Sequence, residues 1–308
     1  MSRGHKKVAN YTEDLVGFAL ESFLSVISFP RQRFSIEPFS RGRERWLGAD
    51  ARLFGNIRGF RPFYMQFKRP CAYPDFSRAR FIKDRKKLGL EASPHSLYFD
   101  LRDKQASHND YQHNILLRLH RRLQSRGLGD AAYVCPLFLD RTAYRFHLHM
   151  SGLSLWPRFW RHYPYELEDI LLRDGGRTLS FNRFPVLAEH ISVPPHASVT
   201  NARHRYSFTE NGTELCFHSP ESLPEGSSNL AKFLTGITRD FFEDGEKIRP
   251  ENADKELKEI IEATEGRPPE GVSLDSADGG AIGNWFAWGD YLQTHYEIEQ
   301  YALVSWRD

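Results

Sequence analysis

The apolar residues of this chain recur with two different periods, one typical of helices and one typical of strands. Apolar residues three or four positions apart predict helices, and in residues 110–126 they leave most of the arginines on the opposite side. The first predicted helix ends before Pro30, which cannot continue a helix. The helical period covers residues 11–28, 110–126, 229–242, 253–263 and 281–301.

Shorter apolar runs, bounded by glycine, proline or asparagine, predict β-strands. Residues 204–218 are predicted to form a hairpin that turns at Asn211-Gly212, a pair that favours tight hairpin turns. Asn56–Gly59 is predicted as the turn into a strand at residues 62–68. The other predicted strands cover residues 34–39, 44–54, 96–102, 131–138 and 143–150.

Two polar residues interrupt the apolar strand predicted at residues 62–68. Gln66 and Lys68 fall on one face of it, because side chains alternate across a strand. Glu44 and Asp50 share a face of the preceding predicted strand, although Asp50 also has the character of a turn residue. A buried amide and a buried ammonium need polar partners. We therefore expect these four side chains to converge on one cation and one phosphate.

The segments ERWLGAD (residues 44–50) and QFK (residues 66–68) resemble the PD-(D/E)XK nuclease superfamily, in the variant where glutamine replaces the second acid. The resemblance implies an α/β, restriction-endonuclease-like core, a central mixed sheet flanked by helices. It also implies that Asp50 and Gln66, with a further acid, hold a divalent metal. Lys68 would orient the attacking water or stabilise the transition state.

The further acid has three candidates. Glu44 lies on the same predicted strand face as Asp50, and an acid a few positions before Gly-Ala-Asp recurs in this motif variant. Glu13 and Glu21 are alternatives, because the superfamily often contributes a glutamate from its first helix. Asn10-Tyr-Thr-Glu13 also has the pattern of a helix capping box, which gives Glu13 a structural role. Glu21 equally suits a solvent-exposed helix face.

The expected cofactor is Mg²⁺, with Mn²⁺ as the alternative. Magnesium prefers oxygen ligands and retains several waters, so one or two carboxylates and the substrate phosphate suffice to hold it. A metal-bound water is more acidic than bulk water, and the cation neutralises charge that builds up on the phosphoryl oxygens. Lysine adds a compact positive charge that suits a phosphate.

The net charge is only +2, but its distribution is uneven. Residues 41–90 hold 14 Lys or Arg against 4 acids, whereas residues 241–280 hold 12 acids against 5 bases. Because phosphate backbones are bound chiefly by positive charge, the basic segment predicts DNA as the partner, with RNA as an alternative. An ordinary solvated face would explain the same charges. The expected phosphate contacts are Arg69, Arg78, Arg80, Lys83, Arg85, Lys86 and Lys87.

Composition excludes several other classes. The chain of 308 residues is 40% hydrophobic and 27% charged, as in soluble globular proteins. No apolar run approaches the length needed to span a bilayer, and the N-terminus lacks a secretory signal, so we expect a cytoplasmic protein. Cys71, Cys135 and Cys216 are too dispersed for a disulfide framework or a four-thiolate zinc site. His147 and His149 would share a strand face, usually a polar surface and less often a zinc site.

The resemblance covers about residues 10–150, which we take as the nuclease-like core. Residues 151–225 are interpreted as a β-rich elaboration and residues 226–308 as a mainly helical C-terminal region. Gln112 and His113 begin a predicted helix and either contact the substrate or lie at the surface. The expected function is metal-dependent DNA cleavage, in bacterial anti-phage defence or restriction. The alternatives are an inactive nucleic-acid or partner-binding module and an RNA-directed nuclease; a homo-oligomer or a partner subunit is compatible with either.

Overall fold

The computed structural model describes residues 5–28, 34–38, 57–153, 181–218, 221–223, 228–244, 249–266 and 280–306. The strands are β1 (Lys7–Val8), β2 (Phe34–Pro38), β3 (Ile57–Phe67), β4 (Cys71–Pro74), β5 (His95–Asp100), β6 (Asp130–Pro136), β7 (His190–Val193), β8 (Arg205–Thr209), β9 (Cys216–Phe217), β10 (Glu221–Ser222), β11 (Ser228–Asn229) and β12 (Glu299–Trp306). The α-helices are α1 (Glu13–Ser28), α2 (Arg80–Lys87), α3 (Gln112–Ser125), α4 (Arg141–Leu153), α5 (Pro185–Ala188), α6 (Leu230–Asp244), α7 (Pro250–Glu265) and α8 (Gly280–Tyr296).

A mixed sheet carries the segment with Gln66 and Lys68. Its described strands have the order β11-β7-β6-β3-β12-β2. β3 and β6 are parallel, and their register places Gln66 beside Tyr133. β12 pairs antiparallel with both β2 and β3. A strand from the last residues of the sequence therefore lies between two strands from its first quarter.

Helices cover both faces of this sheet because successive side chains of β3 point to opposite sides. Phe63 and Met65 belong to a hydrophobic cluster with α1 and α6. Phe60 and Tyr64 belong to another, with α3, α7 and α8. Both clusters are fully buried at their centres, so the sheet is a central layer between helices. The chain is an α/β protein, as expected from its sequence.

A second sheet has the order β1-β4-β5-β8-β9-β10, and its described pairs are antiparallel. Phe99 and Tyr206 of this sheet pack against Tyr133 of the central sheet. On its other side, Phe81 and Ile82 of α2 pack with Tyr98. These apolar residues attach the short helix α2 to the second sheet.

Several predicted elements are confirmed. The helix predicted at residues 11–28 corresponds to α1, and the one at residues 110–126 to α3. The predicted hairpin is formed by β8 and β9, with Gly212 at a φ of 73° in its turn. After Lys68 the chain forms helix α3 and then strand β6, in the predicted order.

The strand predicted at residues 143–150 is wrong, because this segment lies within helix α4. Tyr144 and Ser151 are its buried residues, seven positions apart, which is helical spacing. His147 and His149 therefore do not share a face, since residues two apart on a helix point in nearly opposite directions. The paired-histidine site is excluded by this geometry.

Two further boundaries differ from the prediction. Ile57–Gly59 belong to β3 and not to a turn, and the helix predicted to continue to Tyr301 ends at Tyr296. The strand β12 follows after Glu297, whose φ is 51°.

The strand predicted at residues 44–54 lies outside the described residues. None of the helices in the described ranges is long and apolar enough to span a membrane.

Candidate active site

Gln66 and Lys68 lie at the carboxyl end of β3, on the sheet face that carries Tyr64. Strand pairing with β6 fixes them, and the backbone N–H of Lys68 donates to the Val134 carbonyl at 2.9 Å. The two residues are only 1% and 2% exposed. The alternation predicted from the sequence therefore places an amide and an amine side by side in the protein interior.

The side chain of Lys68 has one hydrogen-bond partner among the described residues. Its Nζ donates to Gln112 Oε1 at 3.3 Å, and the same atom lies 5.8 Å from the centre of the Tyr133 ring. Burial lowers the pKa of Lys68 from 10.5 to about 8, and the nearby Glu13 carboxylate offsets part of this effect. The amine therefore exchanges its proton close to neutral pH.

Gln66 is unusual because its side chain is buried without partners. Neither its Oε1 nor its Nε2 has a hydrogen-bond partner within the described part of the chain. A buried polar group left unsatisfied costs about 1–3 kcal/mol. An interior amide of this kind needs an explanation, and a ligand oxygen for a metal ion is one that suits its chemistry.

A cleft of about 400 Å³ opens next to this strand end. Phe67 and Arg69, which flank Lys68 in sequence, line it. The charged groups of its lining are four carboxylates and two guanidinium groups: Glu13, Asp14, Glu297, Glu299, Arg69 and Arg102.

Arg102 connects two of these carboxylates. Its guanidinium donates to Glu13 Oε2 at 3.1 Å and also pairs with Glu297. Glu13, Arg102 and Glu297 all act on the charge of Lys68, the carboxylates favouring the protonated amine and Arg102 opposing it. These charges act on Lys68 through space, since neither Lys68 nor Gln66 is among the residues that line the cleft.

Glu13 does not have the capping-box role suggested by the sequence. It is the first residue of α1, and the helix is capped by Thr12, whose Oγ1 accepts from the Leu15 N–H at 3.3 Å. Asn10 instead bonds Asp140 and the Arg141 N–H. The other oxygen of Glu13 accepts from the Arg69 N–H at 3.2 Å, so this carboxylate is held at the cleft.

The remaining acids are placed as follows. Glu21 lies two turns further along α1 and does not belong to the cleft lining given by the described residues. Glu44 and Asp50 lie outside the described residues. The part of the chain that the structure describes contains no group of three or more His, Cys, Asp or Glu suited to a metal ion. Within it, the side-chain oxygen in contact with Lys68 Nζ is Gln112 Oε1.

Most basic residues of this segment could contact a phosphate backbone. Arg85 could not, because it is fully buried and donates to the carbonyls of Glu91 and Glu214 and to Ser207 Oγ. It anchors α2 to the β8–β9 hairpin, which corrects its assignment as a phosphate contact. The expected contacts with exposed side chains are Arg69, Arg78, Arg80, Lys83, Lys86 and Lys87.

Gln112 and His113 are neither surface residues nor open to the cleft. Gln112 binds Lys68, and His113 bonds Tyr133 Oη and the Ala197 carbonyl, each at 2.7 Å. The sequence contains no signal for Arg102 or Glu297, because each follows an ordinary strand or helix. Their role depends on the tertiary contacts alone.

No protein-family model matches this chain, and neither a curated protein nor a solved structure matches it. The residues of the site are therefore the basis for assigning a function.

Proposed function

We propose that this protein is a divalent-metal-dependent nuclease with a restriction-endonuclease-like core, which hydrolyses phosphodiester bonds in DNA in the cytoplasm. The observation that carries the proposal is the buried, unpartnered amide of Gln66 beside the buried amine of Lys68. Burying either group is unfavourable for the fold, whereas both have a use in phosphodiester hydrolysis.

The oxygen ligands expected at this site suit a hard metal ion, and Gln66 is the one that lies in the described residues. Gln66 supplies one neutral oxygen, and Asp50 with Glu44 would supply the carboxylates; Glu13 is the alternative third acid. Glu13 already receives Arg102 and the Arg69 N–H, so Glu44 remains the preferred candidate. When bound, Mg²⁺ or Mn²⁺ would acidify a water and neutralise charge on the phosphate.

Lys68 supplies the proton chemistry. With a pKa of about 8, it is present both as ammonium and as amine in the physiological range. As an amine it accepts a proton from the attacking water, and as an ammonium it stabilises negative charge on the phosphoryl oxygens. The exposed basic residues near α2 would hold the flanking backbone.

The test is cleavage of plasmid DNA, with RNA in parallel, in Mg²⁺, in Mn²⁺ and in EDTA. We expect cutting that requires a divalent ion and is lost in Asp50→Ala. Lys68→Met should reduce the rate by about 10²–10⁴-fold, the usual contribution of a positioned proton-transfer group. Lys232→Met is the matched control, since Lys232 is exposed on α6, outside the basic segment.

Magnesium-dependent cutting by a pure Asp50→Ala protein would refute the assignment. Cutting of RNA alone would redirect it to an RNA-directed nuclease. If wild-type protein binds DNA but cuts neither substrate, and calorimetry shows no Asp50-dependent metal binding, the chain is a binding module with a nuclease-like fold.

A further inference from the structure

Gln112 connects Lys68 with the C-terminal part of the chain. The residue begins α3 and is 9% exposed. Its Oε1 accepts from Lys68 Nζ at 3.3 Å, and its Nε2 donates to the backbone carbonyl of Tyr296. Tyr296 is the last residue of α8, directly before the corner that leads into β12.

The orientation of this amide follows from its two partners. A carbonyl only accepts hydrogen bonds, so the NH₂ group must face Tyr296, and the oxygen must then face the lysine. The Tyr296 carbonyl belongs to the last turn of α8, where carbonyls have no partner within the helix. Gln112 satisfies one of them and cannot rotate without losing both bonds.

We propose that Gln112 is a positioning residue for Lys68, and that the α8–β12 corner fixes Gln112 through the Tyr296 carbonyl. This inference rests on the proposed function for its catalytic meaning. The corner also contributes Glu297 and Glu299 to the cleft next to Lys68. The C-terminal segment thereby completes a site whose motif lies in the first quarter of the chain.

Gln112 suits both protonation states of the lysine. Its oxygen receives one N–H in either state, and the lone pair of the neutral amine remains free to accept a proton elsewhere. An apolar side chain at the same place would leave the direction of Nζ unspecified. The amide oxygen of Gln112 therefore fixes the direction of Nζ in either state.

The experiment compares Gln112→Glu and Gln112→Leu in the full chain, with Gln124→Glu as the matched control. Gln124 lies on the same helix, is exposed, and bonds Asp130 at 3.1 Å. Carbon-13 relaxation of the Lys68 Cε methylene, measured by NMR with labelled lysine, reports how rigidly Nζ is held, independently of activity. The kcat and KM of DNA cleavage in Mg²⁺ are measured in parallel.

We expect Gln112→Leu to increase the motion of the Lys68 side chain, because Nζ loses its acceptor, and to lower kcat with KM unchanged. Gln112→Glu keeps an oxygen for Nζ and should leave the side chain as rigid as in the wild type. Gln124→Glu should change neither the relaxation nor the kinetics.

Unchanged Lys68 relaxation in Gln112→Leu would overturn the inference, even if the variant loses activity, since loss of folding or packing alone explains that result. If Gln112→Leu does not fold, Gln112→Ala takes its place. Increased Lys68 motion in Gln112→Leu, with a wild-type protein that cuts no nucleic acid, would support the positioning role and count against the proposed nuclease function. The two proposals therefore fail separately.

Discussion

Lys68 is costly for the folded state, and this cost indicates why a lysine is present. Its pKa is lowered from 10.5 to about 8 by burial, so holding it protonated at neutral pH costs about 3 kcal/mol, at about 1.4 kcal/mol per pKa unit. Gln66 adds a second unfavourable group, because its amide has no partner in the described chain. Destabilising residues of this kind concentrate where a protein performs chemistry.

We predict that Lys68→Met increases the free energy of unfolding at pH 7 by up to about 3 kcal/mol, since an unbranched apolar side chain replaces a buried charge. In the wild-type protein, stability should also rise with pH between about 8 and 10.5, because the folded state binds this proton less tightly than the unfolded state. Lys68→Met should lack this rise. Urea denaturation across this pH range measures both effects.

Lys87→Met is the control for that measurement, because Lys87 is exposed and its loss removes the same charge. A stability rise between pH 8 and 10.5 that is identical in wild type and Lys68→Met would contradict the buried-charge interpretation.

The site could be predicted from sequence only as far as strand alternation reaches. Gln66 and Lys68 interrupt an apolar strand, so their shared face and their burial followed directly. The contact between Lys68 and Gln112 joins residues 44 positions apart in sequence, and no periodicity predicts it. The burial of Arg85 could not be predicted either. The sequence around this buried arginine is the same basic sequence that surrounds its exposed neighbours.

At the scale of elements, the spacing of apolar residues predicted those segments in which buried residues recur with a single period. α1 and α3 have a continuous buried stripe, and the β8–β9 hairpin has a strong turn signal. α4 was mistaken for a strand because its apolar residues alternate, although Phe146, one of them, is 58% exposed. α8 ends without the glycine that usually marks a helix end, so its boundary with β12 was missed.

We predict that Lys83→Glu with Lys87→Glu weakens DNA binding by the protein, because both exposed side chains of α2 lose their attraction for phosphates. The slope of log affinity against log salt should decrease by about 2, from roughly 0.9 for each lost contact. The control is Lys232→Glu with Lys255→Glu, which makes the same change of net charge on exposed positions of α6 and α7. Fluorescence anisotropy at several salt concentrations gives both slopes.

Equal slopes for the two double variants would indicate that α2 is an ordinary solvated helix. Binding would then depend on other positive residues, such as Arg69 at the cleft.

At the scale of the whole molecule, β12 is the feature that local reasoning could not supply. Its register with β3 joins Glu299 to Met65 and Val304 to Phe60, across most of the chain. An apolar run near the C-terminus fits a buried strand or a helix equally, and its place between β2 and β3 depends on the complete sheet. Strands that follow one another in sequence usually pair, so sequence order alone does not predict β12 between two strands of the first quarter.

Buried histidines should make the whole fold sensitive to acid. Burial lowers the pKa of His113 to about 4 and that of His190 to about 3, whereas both are near 6.5 when unfolded. Below pH 6.5 the unfolded chain binds these protons first, so the free energy of unfolding decreases as the pH is lowered. We predict a loss of about 4 kcal/mol at pH 5 from this pair, at about 1.4 kcal/mol per pH unit for each histidine.

Urea denaturation between pH 5 and 7 tests this expectation in wild type and in His190→Gln. In His190→Gln, the slope of the unfolding free energy against pH should correspond to about one proton fewer than in the wild type, whatever its stability at pH 7. His149→Gln, at an exposed position of α4, should keep the wild-type slope. Parallel curves for all three proteins would show that buried histidines do not govern the acid response.

The position of β12 also determines when the sheet can close during synthesis. β3 is translated roughly 230 residues before β12, the strand that separates it from β2. At a translation rate of 5–20 residues per second, this delay is about 10–50 s. Throughout that interval the edge of β3 that will receive β12 exposes unpaired N–H and C=O groups, which are a template for aggregation. The nascent chain should therefore depend on chaperones until β12 leaves the ribosome.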